Sequence, residues 1–138
     1  MPCLEITMPA ADMSVKQELA SALTGAFCSA TGHAAEIFGI RFFEYGKGQT
    51  AIGGELDGEN PYIHFLLYCP RLSRASKQSL ASSLTEVYCK ITGNQAWKPV
   101  IHICEHPYDN VVVEGRLLSD AYEECANRPF YYDLRETA

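Results

Sequence analysis

Tyr62-Ile63-His64-Phe65-Leu66-Leu67-Tyr68-Cys69-Pro70 is a nearly continuous apolar run closed by a proline. A run of this kind predicts a strand buried on both faces of a partly parallel sheet. Pro70 stops the strand. Ser73 then offers a helix cap, and Leu80, Leu84, Val87, Tyr88 and Ile91 recur at helical spacing as the apolar stripe of an amphipathic helix. Thr92-Gly93 closes that helix, because glycine accepts the left-handed backbone of a helix end. Val100 to Glu105 follows as a second strand, so residues 62–105 read as one β-α-β unit.

The same order occurs earlier in the chain. Cys3 to Met8 reads as a strand ended by Met8-Pro9, and Ser14 with Gln17 forms a candidate capping box. Leu19, Ala22, Leu23, Ala26, Phe27 and Ala30 mark a helix, and Thr31-Gly32 ends it 61 residues before Thr92-Gly93 ends the other. Ile37 to Tyr45 is the matching strand, followed by a glycine-rich turn and a short strand near Thr50 to Ile52. The expected fold class is therefore α/β (α+β): a duplicated β-α-β chain with a four-stranded mixed sheet and two helices on one face. Right-handed crossovers put both helices on that face and leave the other needing cover. Val111-Val112-Val113, the aromatic Phe130-Tyr131-Tyr132 and association with further copies are the candidates to cover it.

At 138 residues and 47% hydrophobic, the chain builds one domain with a sizeable core, spanning 1–138, with 117–138 as an interface-forming extension. A net charge of -6 without any basic block excludes a nucleic-acid binder. No run approaches the roughly 20 apolar residues of a membrane span. The six cysteines contain no CxxC pair and no signal peptide precedes them, which predicts reduced thiols in a cytoplasmic protein. The four histidines form no HExxH motif, and His102 and His106 are read as ordinary strand and turn residues, with no metal or organic cofactor.

The chemistry-bearing candidates lie at element ends. Met1 before a small residue such as Pro2 is normally removed, leaving a secondary amine at the first residue of a strand. An amine held on a rigid element serves as base, acid or nucleophile, and an apolar, cation-lined pocket lowers its pKa from about 8 toward neutrality. Arg71 and Arg74 flank the start of the second helix three positions apart. Arginines there oppose the helix dipole, and a bound carboxylate reverses that cost with bidentate hydrogen bonds. Tyr108 can donate a hydrogen bond to a ligand oxygen, and Glu114 before Gly115 can orient a water. Each of these residues has an ordinary surface role as its alternative.

An initial Pro2 followed by a strand, two β-α-β units with Thr-Gly helix ends, Pro70-Arg71-Leu72-Ser73-Arg74 and Glu114-Gly115 together resemble the tautomerase superfamily. Within it the chain looks most like the branch of cis-3-chloroacrylic acid dehalogenase, over residues 2–116. The resemblance implies a homotrimer with pockets near subunit interfaces and no cofactor. It implies Pro2 as the catalytic amine, Arg71 and Arg74 as the clamp on a small anionic carboxylate substrate, Glu114 as the water-activating acid and Tyr108 as the auxiliary tyrosine. One position departs from the pattern. Where the dehalogenase has a histidine late in the first helix this chain has Phe27, with His33 six residues beyond. Phenylalanine cannot bind a carboxylate, which favours isomerisation of an unsaturated or 2-keto acid by proline-mediated proton transfer. The alternatives are a hydratase or hydrolytic dehalogenase of small unsaturated acids, and a non-catalytic oligomeric binding protein.

Overall fold

Alternation of side chains along the first strand decides which way it faces. In the computed structural model, which describes residues 2–121, β1 (Cys3–Pro9) buries Leu4, Ile6 and Met8 and leaves Cys3, Glu5 and Thr7 on its other side. The helix α1 (Met13–Thr31) meets that buried face with Leu19, Leu23 and Phe27, which recur every four residues and so line one side of the helix. The strand β2 (Gly39–Tyr45) follows a short 3-10 turn, and the small β3 (Ala51–Ile52) and β4 (Glu55–Leu56) form a hairpin. The second unit comprises β5 (His64–Pro70), α2 (Arg74–Thr92) and β6 (Val100–His106). A last hairpin, β7 (Val112–Val113) with β8 (Arg116–Leu117), runs into a 3-10 turn at Leu118–Ala121.

The four long strands lie in the order β2-β1-β5-β6, with the outer pairs parallel and the central pair antiparallel. This is the expected duplicated fold with a four-stranded mixed sheet. The two halves superimpose in sequence at an offset of 61 residues. Leu80, Leu84 and Tyr88 repeat Leu19, Leu23 and Phe27 as the buried stripe of α2. Gly32 and Gly93 end the helices in the left-handed region, at φ 74 and 72. The hydroxyls of Thr31 and Thr92 both donate to the carbonyl four residues back, at 2.8 and 2.7 Å.

Two expectations are corrected. The first helix begins at Met13 after Asp12, and Ser14 lies inside its first turn; the cap proposed at Ser14 is displaced by two residues. The reason is tertiary: the Glu44 carboxylate on β2 accepts the Ala11 N–H at 2.7 Å and fixes the turn ahead of the helix. Ser73, by contrast, does cap α2, accepting the N–H of Ser76. The strand expected to be buried on both faces is buried on one. Phe65, Leu67 and Cys69 are fully enclosed beneath the helices, whereas His64, Leu66 and Tyr68 are only half-buried.

The open face is organised by register. Cys3, Tyr68 and Cys104 form one row across it, and Arg41, Glu5, Leu66 and His102 form the next. Arg41 pairs with Glu5 at 3.5 Å and lies 5.9 Å from the Phe43 ring centre. His64 and His102 share a 2.6 Å contact between Nε2 and Nδ1, and burial followed by the neighbouring imidazole holds the His64 pKa below its ordinary value. The five cysteines among the described residues are unbridged thiols. No helix among them is long and apolar enough to cross a membrane. Cys125 and the Phe130-Tyr131-Tyr132 cluster lie outside the described residues, as does the extension beyond Ala121.

Candidate active site

Opposite strand directions bring four chain segments to one end of the sheet. Because β1 runs antiparallel to β5 with Cys3 opposite Tyr68, the start of β1 meets the end of β5. Continuing that register sets Pro2 opposite Cys69, two residues before Arg71. Parallel pairing adds the start of β2 and the end of β6, where Pro70 is opposite His106. Pro2 is buried, and its carbonyl accepts the Gly39 N–H at 3.2 Å. The residue is thus anchored in the sheet.

Arg71 and Arg74 are exposed at this same end, Arg71 in the turn and Arg74 as the first residue of α2. The turn is pinned on both sides of Arg71. Before it, Pro70 is in the sheet; after it, Leu72 is 5% exposed and donates its N–H to the Glu105 carboxylate at 2.6 Å. The other Glu105 oxygen takes Lys77 Nζ of α2 at 2.9 Å. Arg71, Glu105, His106 and Pro107 line a shallow pocket of about 200 Å³. Partial burial disfavours the Glu105 carboxylate, yet the Leu72 N–H, Lys77 and Arg71 outweigh it and hold its pKa below the ordinary value. The stabilisation this carboxylate provides is present above the ordinary glutamate value of 4.5 and disappears as pH falls through the lower folded value. Glu105→Gln should therefore lower stability by about 1 kcal/mol at pH 7. In chemical denaturation the difference from the parent should vanish at acid pH; a difference constant with pH would contradict the assignment.

Tyr108 follows β6 in a short 3-10 turn and is 1% exposed within the core, beside the pocket residues in sequence but not lining the pocket. Glu114 and Gly115 form the two-residue tip between β7 and β8, with φ of 53 and 77. Both positive angles make this a primed hairpin turn, in which a glutamate costs roughly 1–2 kcal/mol relative to a relaxed backbone. Glu114 is exposed and makes no hydrogen bond or ion pair with the other described residues. Phe27 is a core residue, stacked on Phe38 at 4.2 Å. No group of three or more potential metal ligands is found among the described residues. Sequence reading singled out Pro2, Arg71 and Arg74 but missed Glu105, Lys77 and His106, which surround or support Arg71.

The internal repeat carried a signal for them. At the opposite end of the sheet, Glu44 accepts Ala11 N–H and Lys16 Nζ, both at 2.7 Å. These residues precede Glu105, Leu72 and Lys77 by 61 positions each. The carboxylate staple is therefore part of the fold, made twice. The cations and the proline are not: Ala10, Met13 and Ile63 stand where the other end has Arg71, Arg74 and Pro2.

No protein of curated function matches the chain significantly in sequence. A fused 4-OT solved as an asymmetric trimer superimposes with a TM-score of 0.80 at 21% identity, over 86% of this chain and 98% of that one. Pt0534, solved after inactivation by 2-oxo-3-pentynoate, matches with a TM-score of 0.77 at 15% identity, covering 86% of this chain and 97% of its own. Malonate semialdehyde decarboxylase, described with decarboxylase and hydratase activities, gives 0.70 at 16% identity, covering 86% and 98%. Residues 61–121 match the sequence model of the family described as Tautomerase enzyme. The chain has the tautomerase-superfamily fold.

Proposed function

We propose that this protein is a cofactor-independent tautomerase that moves a proton within a small 2-keto or unsaturated carboxylate. The observation that carries the reading is the broken symmetry of the sheet. Two ends share one scaffold, yet Pro2, Arg71 and Arg74 occur at one end while Ile63, Ala10 and Met13 hold the equivalent positions at the other, so nothing in the repeat demands them. After loss of Met1, the neutral Pro2 amine takes the proton from the enol oxygen of the substrate. The electron pair of that O–H bond forms the carbonyl, and the adjacent carbon collects the proton back from the Pro2 ammonium. Arg71 and Arg74 bind the carboxylate and stabilise charge on the conjugated oxygens. The fold, the family match over the second half and the inactivation of Pt0534 by a 2-keto acid support this chemistry.

The assembly in this reading is a homotrimer, like the fused 4-OT solved as a trimer, with the open sheet face covered by neighbouring subunits. Phe43 at 46% and Val100 at 56% exposure are the apolar residues such contacts would enclose. Water addition, in the manner of the cis-3-chloroacrylic acid dehalogenase branch, is the second reading. It is favoured by the strained backbone at Glu114, since strain of this kind persists where function requires it.

One assay separates the two readings: product analysis on a panel of 2-keto enols and unsaturated acids. Arg71→Ala should raise KM for ketonisation by about 10–100-fold, the loss of a charge-assisted pair. Glu114→Gln should leave ketonisation intact and abolish any hydration. Unchanged kinetics in Arg71→Ala would remove the carboxylate clamp from the mechanism.

A further inference from the structure

The two ends of the sheet differ in how their core is closed. At the Pro2 end, Leu72 and His33 are each 5% exposed, and the His33 ring meets Phe27 edge-on at 6.0 Å. The residues 61 positions from Leu72, His33 and Phe27 are Ala11, Asn94 and Tyr88. An aliphatic side chain and an imidazole at one end thus correspond to a methyl group and a carboxamide at the other. The smaller pair borders a cleft of about 390 Å³ between the start of α1 and the end of α2.

Val15, Ile63, Tyr88 and Ile91 give the cleft apolar walls. The Tyr88 ring is fixed in its wall, edge-on to Phe65 at 5.3 Å. Asn94 is held at the border by Trp97: its carboxamide donates to the Trp97 carbonyl at 2.8 Å and accepts the Trp97 N–H at 3.3 Å. Asp12 is exposed at the rim. Its carboxylate accepts no capping hydrogen bond from α1 and forms no ion pair among the described residues. The local charge is therefore opposite to that of the Arg71 and Arg74 end. The volume falls within the roughly 300–1,000 Å³ of small-molecule sites.

We propose that this cleft is a second binding site, for a small aryl-alkyl ammonium ion whose ring takes the volume that Leu72 and His33 fill at the other end. The ring packs among Val15, Ile63 and Ile91 and meets Tyr88 as the His33 ring meets Phe27. A short alkyl chain then leads the ammonium to the Asp12 carboxylate, where it donates a charge-assisted hydrogen bond. A ligand carboxylate would meet the same Asp12 as a like charge, so the two ends of the sheet select opposite charges. Ile63 stands where the other end has Pro2, and it offers no amine for proton transfer, so the ligand is bound without being turned over. The inference is independent of the role proposed for Pro2.

The test titrates 2-phenylethylammonium into the full chain and follows the backbone amides by ¹H–¹⁵N NMR in the parent, Ala11→Leu and Asp12→Asn. In the parent the amides of Asp12, Val15 and Asn94 should shift saturably, with a Kd on the order of 1 mM for a probe of this size. Ala11→Leu rebuilds the side chain found at the other end and keeps the N–H bond to Glu44, as Leu72 keeps its bond to Glu105. It should fold as the parent does and weaken binding by about tenfold or more through steric exclusion. Asp12→Asn leaves the cleft open and should weaken binding by about 3–10-fold, the loss of the charge-assisted bond. In the parent, 3-phenylpropanoate should shift the same amides only at concentrations about tenfold higher. No saturable shift at these amides up to about 10 mM ammonium probe would overturn the site. Parental affinity in Ala11→Leu would place the ligand outside the cleft, and parental affinity in Asp12→Asn would remove the ammonium from the assignment. Failure of ketonisation on every substrate would remove the Pro2 reading and leave this site in place.

Discussion

Pro2→Ala should lower enol ketonisation by about 10²–10⁴-fold, the range contributed by a positioned proton-transfer group. Alanine leaves a primary amine on a backbone that is no longer constrained by a ring. The surrounding sheet has little reason to change, because the hydrogen bond from Gly39 goes to the main-chain carbonyl of residue 2 and survives the substitution. Circular dichroism and sedimentation should therefore match the parent while turnover collapses. The loss should lie mainly in kcat, since the carboxylate is bound by Arg71 and Arg74, not by the amine. If the variant turns over at the parental rate, the reacting base is elsewhere and the mechanism proposed here is wrong.

The second large effect concerns stability. Phe27 is fully enclosed, stacked 4.2 Å from Phe38 with an interplanar angle of 13°, and set edge-on to His33 at 6.0 Å. Phe27→Ala should cost about 3–5 kcal/mol, combining lost transfer energy with the cavity left beneath α1. Denaturation at fixed protein concentration, to hold any association constant, gives the value directly. A cost below about 1 kcal/mol would mean the side chain is not part of the core as described. The burial also explains the departure noted at this position. Its equivalent in the second half, Tyr88, is just as enclosed at 1% exposure, with its hydroxyl pKa raised by burial. Both halves use this helix position to close the core against the sheet.

Broken symmetry is what separates function from scaffold in this chain. A residue that recurs 61 positions away with the same partners, as Glu105 repeats Glu44 and Lys77 repeats Lys16, is explained by folding alone. A residue whose counterpart is chemically mute needs another reason. Arg71 against Ala10 and Arg74 against Met13 are of the second kind, and they gather at the end that holds Pro2. That distinction converts an arginine pair with an ordinary surface alternative into a candidate anion site.

The elements themselves could be read from the sequence. Apolar spacing of three and four marked both helices, Thr-Gly marked both helix ends, and the matching order announced the duplication. Pro2, Arg71 and Arg74 were also visible, because their types are unusual at element starts. Periodicity along one element, however, records only which side chains share a face; it says nothing of which distant strand lies alongside, or in what register. The antiparallel pairing of β1 with β5 set Pro2 beside the turn of Arg71, and the parallel pairing of β5 with β6 brought Glu105 and His106 to the same end. The apolar run at residues 62–70 was compatible with burial on two faces, and only the placement of both helices on one side left its other face open. Pairing and layering are contacts between segments far apart in the chain, so they were decided by the tertiary structure and not by any local pattern.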